Sequence, residues 1–431
     1  MLKVLIPEKI PAHNKGEEAI FRGILKTLDF VTEKKIFLYS KSPCYDKAQY
    51  AEAAEIITES LIPDPTETKA KKILHVLWYI PLHVIYAFVY RINHGFARKI
   101  FKKKLWEVYD KIDFVLAAHD SAYAIMHNLL IIFCKMINKP IIIYGTSILP
   151  FLHRRAWVRY LTRFCLNMAD LVTVREEITR NVLVEKIGIR RNLVKLTGDK
   201  AFLLEPVGKE KIKRILESHD IFCDKESIIG ITSVYKTGIF NTLQFDIEKH
   251  INIMAMIVDF IIEETNAKVV FFPHSVGPDE ANDDRIAASA IFDKCNHKES
   301  IKLINGDFAA AQLKGMIGCC DFFIGERTHS VIAALSMKVP AIAISHPEDY
   351  RTIGILGKIV ERDKWIFNIK QLEEDSFKQF FLRAWYSREE LRKSLHQKIQ
   401  LVTKMSIKNG EYLQELLKRK RLLSKLQMNI L

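Results

Sequence analysis

No CxxC pair and no Cys/His spacing suited to zinc occurs in the chain. Its 7 cysteines are scattered, and the adjacent Cys319 and Cys320 fit neither an ordinary disulfide nor a metal centre. Free, buried thiols in a reducing compartment are expected. The opening Met1-Leu2-Lys3-Val4-Leu5-Ile6-Pro7 lacks the long apolar region of a signal peptide and reads as a first strand. A cytoplasmic protein is therefore expected. There is no internal repeat and no low-complexity tract, which excludes repeat arrays. No RNP-like or helix-turn-helix pattern accompanies the net charge of +14, so nucleic acid is not an expected partner.

What is present is a globular balance: 49% hydrophobic and 27% charged residues over 431 positions. At about 100–200 residues per domain, that length calls for two domains. Short β-branched runs alternate with longer helical patterns, the mark of βαβ units and parallel sheets. In the first half, strands are expected at Lys3–Ile6, Lys35–Tyr39, Phe114–Ala118, Ile141–Tyr144 and Leu171–Val174. A helix from about Glu17 to Leu28 follows the first strand, with Ile20, Ile24, Leu25 and Leu28 on one face. The stretch Leu203–Lys213, with Pro206 and Gly208, reads as a boundary.

Beyond it, strands are expected at Ile228–Val234, Lys268–Phe272, Ile301–Ile304, Asp321–Ile324 and Ala341–Ile344. Helices are expected at about Phe245–Glu264, at Phe308–Met316 and after Arg327. The expectation is an α/β protein of two Rossmann-like domains facing a cleft, with C-terminal helices. The domains are 1–205, carrying an apolar and basic insertion at about 69–104, then 206–372, then a basic helical extension at 373–431 ending in Lys418-Arg419-Lys420-Arg421.

Ile73 to Tyr90 carries no formally charged residue and is rich in aromatics. Its length raises a membrane span. Pro81 inside it, basic flanks on both sides, and strands of one sheet before and after it argue against a span. An interfacial hairpin or amphipathic region in peripheral contact with anionic lipid is expected, beside the alternative of a buried helix pair.

Three constellations carry chemistry. Asp321-Phe-Phe-Ile-Gly-Glu-Arg-Thr-His-Ser330 is a buried strand, a glycine turn, a polar cluster and a helix start. Polar groups at the carboxyl end of a parallel strand face the ligand crevice of such folds. The helix start adds N–H donors for an anion. Arg327 suits an oxyanion and His329 suits proton transfer. Asp170-Leu-Val-Thr-Val-Arg-Glu-Glu177 delivers Arg175 in the same way, as a ligand group, as the closure of a helix cap or as one side of a surface ion pair. Pro11-Ala-His-Asn-Lys-Gly-Glu-Glu-Ala19 is a strand–loop–helix far short of a dinucleotide or Walker motif. His274 closes another strand in Phe272-Pro273-His274.

Taken in order, these segments resemble the polysaccharide pyruvyl transferases. Asn14–Ala19 is similar to the family's Asn-x-Gly-Asp-Glu-Ala, and Gly145-Thr-Ser-Ile-Leu-Pro150 occupies its Gly-Ser-x-Gly-Pro turn. Asp170–Glu177 resembles its Asp-Leu-Val-x-x-Arg-Glu segment, and Gly198-Asp199-Lys-Ala-Phe202 the end of its first domain. Gly325–Pro340 carries its Gly-x-Arg-x-His signature. The chain departs from the pattern at Ala117-Ala-His-Asp-Ser121, at the turn after Gly145, and at Arg351, where a lysine is usual.

The resemblance implies a GT-B-like fold and transfer of pyruvyl from phosphoenolpyruvate to hydroxyls of a sugar, forming a ketal and releasing phosphate, with no cofactor or metal. The acceptor would belong to a cell-surface polysaccharide or a polyprenyl-linked precursor at the cytoplasmic membrane face. By the resemblance, Arg175 and His329 hold positions associated with donor binding and catalysis. From these and the constellations above, His329 and Arg327 are the expected catalytic residues, and Arg175, Asn14, Gly16, Glu18, Ser147, His274, Glu326, Thr328 and Ser330 the expected substrate-binding residues. A nucleotide-sugar glycosyltransferase on the same fold and a non-catalytic binding protein are the alternatives.

Overall fold

The computed structural model describes residues 1–31, 33–61, 68–118, 125–148, 155–235, 246–347, 349–357 and 362–420. Of the positions named above, His119, Asp120, Ser121, Leu149, Pro150, Phe245 and Arg421 lie outside the described residues. The chain forms two compact units. Residues 1–12, 24–199 and those from 405 on make the first; residues 13–23 and 200–404 make the second.

Among the described residues the first unit holds seven strands: β1 (Leu2–Ile6), β2 (Lys34–Tyr39), β3 (Glu55–Ile57), β4 (Phe114–Ala117), β5 (Ile141–Thr146), β6 (Leu171–Val174) and β7 (Val194–Leu196). They pair in parallel in the order β3-β2-β1-β4-β5-β6-β7. The second holds β8 (Ile228–Thr232), β9 (Lys268–Phe271), β10 (Ile301–Leu303), β11 (Phe322–Gly325), β12 (Ala341–Ser345) and β13 (Ile366–Asn368). Their order is β10-β9-β8-β11-β12-β13, again parallel. Central strands such as Ile-Ile-Gly-Ile-Thr and Phe-Phe-Ile-Gly are buried along their whole length, as a parallel sheet covered on both faces requires. Both orders reverse direction beside their first strand, the doubly wound arrangement of a Rossmann fold. In the second unit that switch lies between β8 and β11.

Of the readings left open for the apolar segment of the first unit, a hairpin and a helix pair are both excluded. The segment is one helix, Lys69–Ile92, running through Pro81 and capped by the Thr68 side chain. Pro81 sits on the exposed side, so its ring meets no core residue and its missing N–H removes a hydrogen bond where water can replace it. The Ala70–Ile92 portion is long and apolar enough to cross a membrane. Its inner side, however, buries Tyr86, Ala87 and Tyr90 in the same core as Val115, Phe133 and Ile143. His83 is buried among them. Its Nδ1 lies 2.7 Å from the Tyr79 carbonyl and its Nε2 3.3 Å from the Tyr109 hydroxyl.

Burial pulls the pKa of His83 down to about 4, partly opposed by the Tyr79 carbonyl. An unfolded histidine titrates near 6.5. The unfolded chain therefore takes up the proton first, and the stability His83 contributes above pH 6.5 is lost as pH falls toward 4. That loss is on the order of 3 kcal/mol at full titration. Thermal unfolding across this range should show a falling melting temperature in the parent and a flatter profile in His83→Leu. Identical profiles would contradict the assignment.

The C-terminal helix, Arg388–Arg419, ends on the first unit. There Asn409 accepts hydrogen bonds from Thr173 and Thr197 through its Oδ1 and donates to the Gly198 carbonyl. The Ser406 hydroxyl donates to the carbonyl of Asp199.

Candidate active site

The second unit gathers its polar residues at the carboxyl ends of β8, β9 and β11, beside the switch point. β11 ends in Gly325, and Glu326 and Arg327 lead into the helix Thr328–Ser336. The Arg327 guanidinium donates from Nε to both oxygens of Asp284, at 3.0 and 2.9 Å, and from Nη2 to Oδ1 at 2.6 Å. Asp284 begins the helix Asp284–Lys294, and its Oδ2 also accepts from the peptide N–H groups of His274 and Ser275, each at 2.9 Å. One carboxylate thus fixes both the arginine and the turn that carries His274. Burial raises the Asp284 pKa, and the Arg327 guanidinium with the two peptide N–H groups works against that rise.

His274 is buried, and neither ring nitrogen has a hydrogen-bond partner among the described residues. Burial, with His329, Arg327 and Lys15 nearby, holds its pKa well below the ordinary histidine range. It is a neutral imidazole at neutral pH. A buried polar ring without a partner is costly unless something else meets it.

The loop and helix start at residues 13–23 complete this cluster. Asn14 caps the helix Lys15–Thr27 by accepting from the N–H groups of Gly16 and Glu17. Lys15 donates its N–H to the His274 carbonyl at 2.9 Å, and its buried ammonium lies 2.6 Å from Asp307. Gly16 lies against the His329 ring. A Cβ there would come within 2.6 Å of His329 Cβ and 2.7 Å of its Cγ and Nδ1, so only glycine leaves the imidazole its place. Glu18 is buried and accepts from the N–H of Ala310 at the start of the helix Ala310–Ile317. Burial raises its pKa, against that hydrogen bond and Lys15.

The remaining candidates have other surroundings. Glu326 accepts from the Val234 N–H at 2.8 Å and lies 2.9 Å from His250, bracing the ends of β8 and β11. Thr328 shares a hydroxyl hydrogen bond of 2.5 Å with Thr352. Ser330 turns back on the Arg327 carbonyl and packs under Gly325. Arg175 and Ser147 belong to the first unit. Arg175 donates from Nε to Ser147 at 2.8 Å and from Nη1 to Asp199 at 2.7 Å, all three side chains being buried. The segments around Gly145, Asp170 and Gly198 therefore meet in one buried ion pair of the first unit.

Asp284 and Asp307 are site residues outside the motifs, and Lys15 lies within the Asn14–Ala19 motif without being singled out by it. The signal for Asp284 was present as an acidic pair, Asp283-Asp284, at a helix start. Among the described residues, no three His, Cys, Asp or Glu side chains are grouped as a metal ion would need.

Comparison with known proteins adds to this geometry. A family model described as "Polysaccharide pyruvyl transferase" matches residues 14–348. The chain is 22% identical over 380 residues to the amylovoran biosynthesis protein AmsJ of Erwinia amylovora, covering 83% of this chain and 86% of that one. Among solved structures, Anabaena HepE in complex with UDP-glucose superposes with a TM-score of 0.58 at 11% identity, covering 97% of this chain and 100% of HepE. UDP-GlcNAc 2-epimerase from Neisseria meningitidis, bound to UDP-GlcNAc, gives 0.57 at 13% identity, with the same coverage of both chains. These two likenesses concern the fold: two Rossmann-like domains of the GT-B kind.

Proposed function

This chain belongs to the polysaccharide pyruvyl transferase family and is a transferase of polysaccharide biosynthesis; from that premise we propose that it moves pyruvyl from phosphoenolpyruvate to two hydroxyls of one sugar. The acceptor proposed is a polyprenyl-linked precursor met at the cytoplasmic face of a membrane. The observation that carries this reading is the cluster of His329, neutral His274 and the Asp284-braced Arg327 at the strand ends of the second unit.

The chemistry needs little more. The methylene carbon of the donor gains a proton, two C–O bonds form at its central carbon, and the C–O bond to phosphate breaks. Of the two hydroxyl protons, one is accounted for on the new methyl group and one on phosphate. His329 is the proposed acid toward the methylene. His274, whose ring nitrogens have no partner among the described residues, is the proposed acceptor of an attacking hydroxyl's proton. Arg327, oriented by Asp284, is the proposed cationic partner of the donor's carboxylate or phosphate. Asn14 and Gly16 position His329 rather than react.

Thermal unfolding with added ligand tests the donor. A ligand that binds only the folded state at about a hundredfold over its Kd stabilises it by about 2.7 kcal/mol. Phosphoenolpyruvate should raise the melting temperature, and UDP-glucose should raise it less. The reverse order would favour a nucleotide-sugar glycosyltransferase. Phosphate release with a panel of polyprenyl-linked sugars then identifies the acceptor.

A further inference from the structure

The first unit exposes two apolar stripes on one helical layer. On the helix Lys69–Ile92, positions 74, 78, 81, 85, 88 and 92 recur at spacings of four and three, which puts them on one side. That side faces outward: Trp78 and Phe88 are 66% exposed and Ile92 70%. The second stripe is on the helix Ala156–Met168, where Trp157, Tyr160 and Phe164 follow helical spacing and are 57%, 63% and 62% exposed. Both helices pack against the helix Ile125–Met136, and all three feed one core through Tyr86, Phe133 and Cys165. The inner sides are satisfied, and the outer sides are apolar. Isolated exposed apolar residues need no explanation, but stripes on two helices that share one packing partner do.

Charge identifies what covers them. Residues 69–104 and 155–168 contain no Asp or Glu. Arg98, Lys103 and Lys104 are paired with Asp110, Glu59 and Glu55. Arg91, Lys99 and Lys102 have no acidic partner among the described residues, and Arg155 and Arg163 flank the second stripe, both exposed. A second copy of the chain would set this basic rim against itself, because a twofold interface uses the same surface on both sides. An anionic bilayer meets both features: headgroups take the cations, and aromatic side chains sit at the headgroup level.

We propose that the outward side of these two helices docks the protein peripherally on an anionic phospholipid bilayer. The surface explains how a polyprenyl-linked acceptor would be met, yet it is independent of the donor chemistry. Its test uses no substrate.

The full chain is sedimented with vesicles rich in phosphatidylglycerol and with pure phosphatidylcholine vesicles. Binding is expected to the first, weakening in about 1 M salt, where screening shortens to about 3 Å. Of the 5 tryptophans, Trp106, Trp365 and Trp385 are buried. A blue shift of emission on vesicle binding therefore reports Trp78 and Trp157. Trp78→Glu and the pair Trp157→Glu with Phe164→Glu alter exposed positions, so the fold should persist. Each should lower vesicle affinity roughly tenfold or more. Absence of binding to phosphatidylglycerol, binding without a blue shift, indifference to both sets of substitutions, or a dimer in sedimentation equilibrium that either set dissociates would overturn the proposal. The melting-temperature response of the same variants to phosphoenolpyruvate is read separately, so the donor reading stands or falls on its own.

Discussion

His329→Ala is expected to lower turnover by roughly two to four orders of magnitude, the usual scale for loss of a general acid. The imidazole stands one residue inside the helix Thr328–Ser336, with Gly16 against its ring and neutral His274 near it. It is partly exposed, so truncation empties no sealed cavity, and the melting temperature should change little. The measurement is phosphate release from phosphoenolpyruvate with a saturating acceptor, beside a thermal melt. Near-normal turnover in a folded His329→Ala protein would remove this residue from the mechanism and leave His274 to carry the proton alone.

The second large effect concerns stability as much as rate. Asp284→Ala removes a carboxylate that accepts from Nε and Nη2 of Arg327 and from two peptide N–H groups. The Arg327 side chain is only 16% exposed, so its charge would lose the buried carboxylate that faces it. Breaking such a pair costs about 3–5 kcal/mol. Against a typical stability of about 5–15 kcal/mol, that is a large share. At about 2–4 °C per kcal/mol for units of this size, the melting temperature should drop on the order of 10 °C. Asp284→Asn should lose less, since its carbonyl still accepts hydrogen bonds. Turnover should fall in both, because Arg327 and the His274 turn lose their common anchor. An alanine variant as stable as the parent would show that Asp284 does not hold the site.

Much of the fold was legible because buried parallel strands are written as unbroken apolar runs. Leu171–Val174 was found to the residue, and nine other strands lay within about two residues of their expected limits. The strands not anticipated, Glu55–Ile57, Val194–Leu196 and Ile366–Asn368, are three-residue edge strands. Three residues carry too little periodicity to distinguish a strand from a loop. The apolar segment leaves a hairpin, an amphipathic region and a buried helix pair open in sequence, because Pro81 argues against a continuous span and sequence does not reveal that the proline faces outward in a single helix.

The site divides along similar lines. His329, Arg327 and Arg175 announce themselves as charged residues ending apolar runs. The partners that give them meaning do not. Asp284 lies 43 residues before Arg327, inside an acidic stretch with Asp279, Glu280 and Asp283. Only the fold selects which of those carboxylates faces the guanidinium. Likewise, Gly16 is expected among the substrate-binding residues, while the structure shows the space it leaves for a ring about 300 residues away.

That separation matters while the chain is being made. Residues 13–23 leave the ribosome about 250–310 residues before the strands and turns they cluster with in the second unit. At about 5–20 residues per second, Gly16 waits roughly 15–60 s before His329 exists. During that interval the Lys15 N–H lacks the His274 carbonyl it donates to, and the Lys15 ammonium lacks Asp307. The second unit therefore cannot finish as an independent late-born module. A nascent chain released before about residue 330 would leave Gly16 without the ring it makes room for, and a fragment begun at residue 200 would lack Asn14, Lys15 and Gly16 altogether.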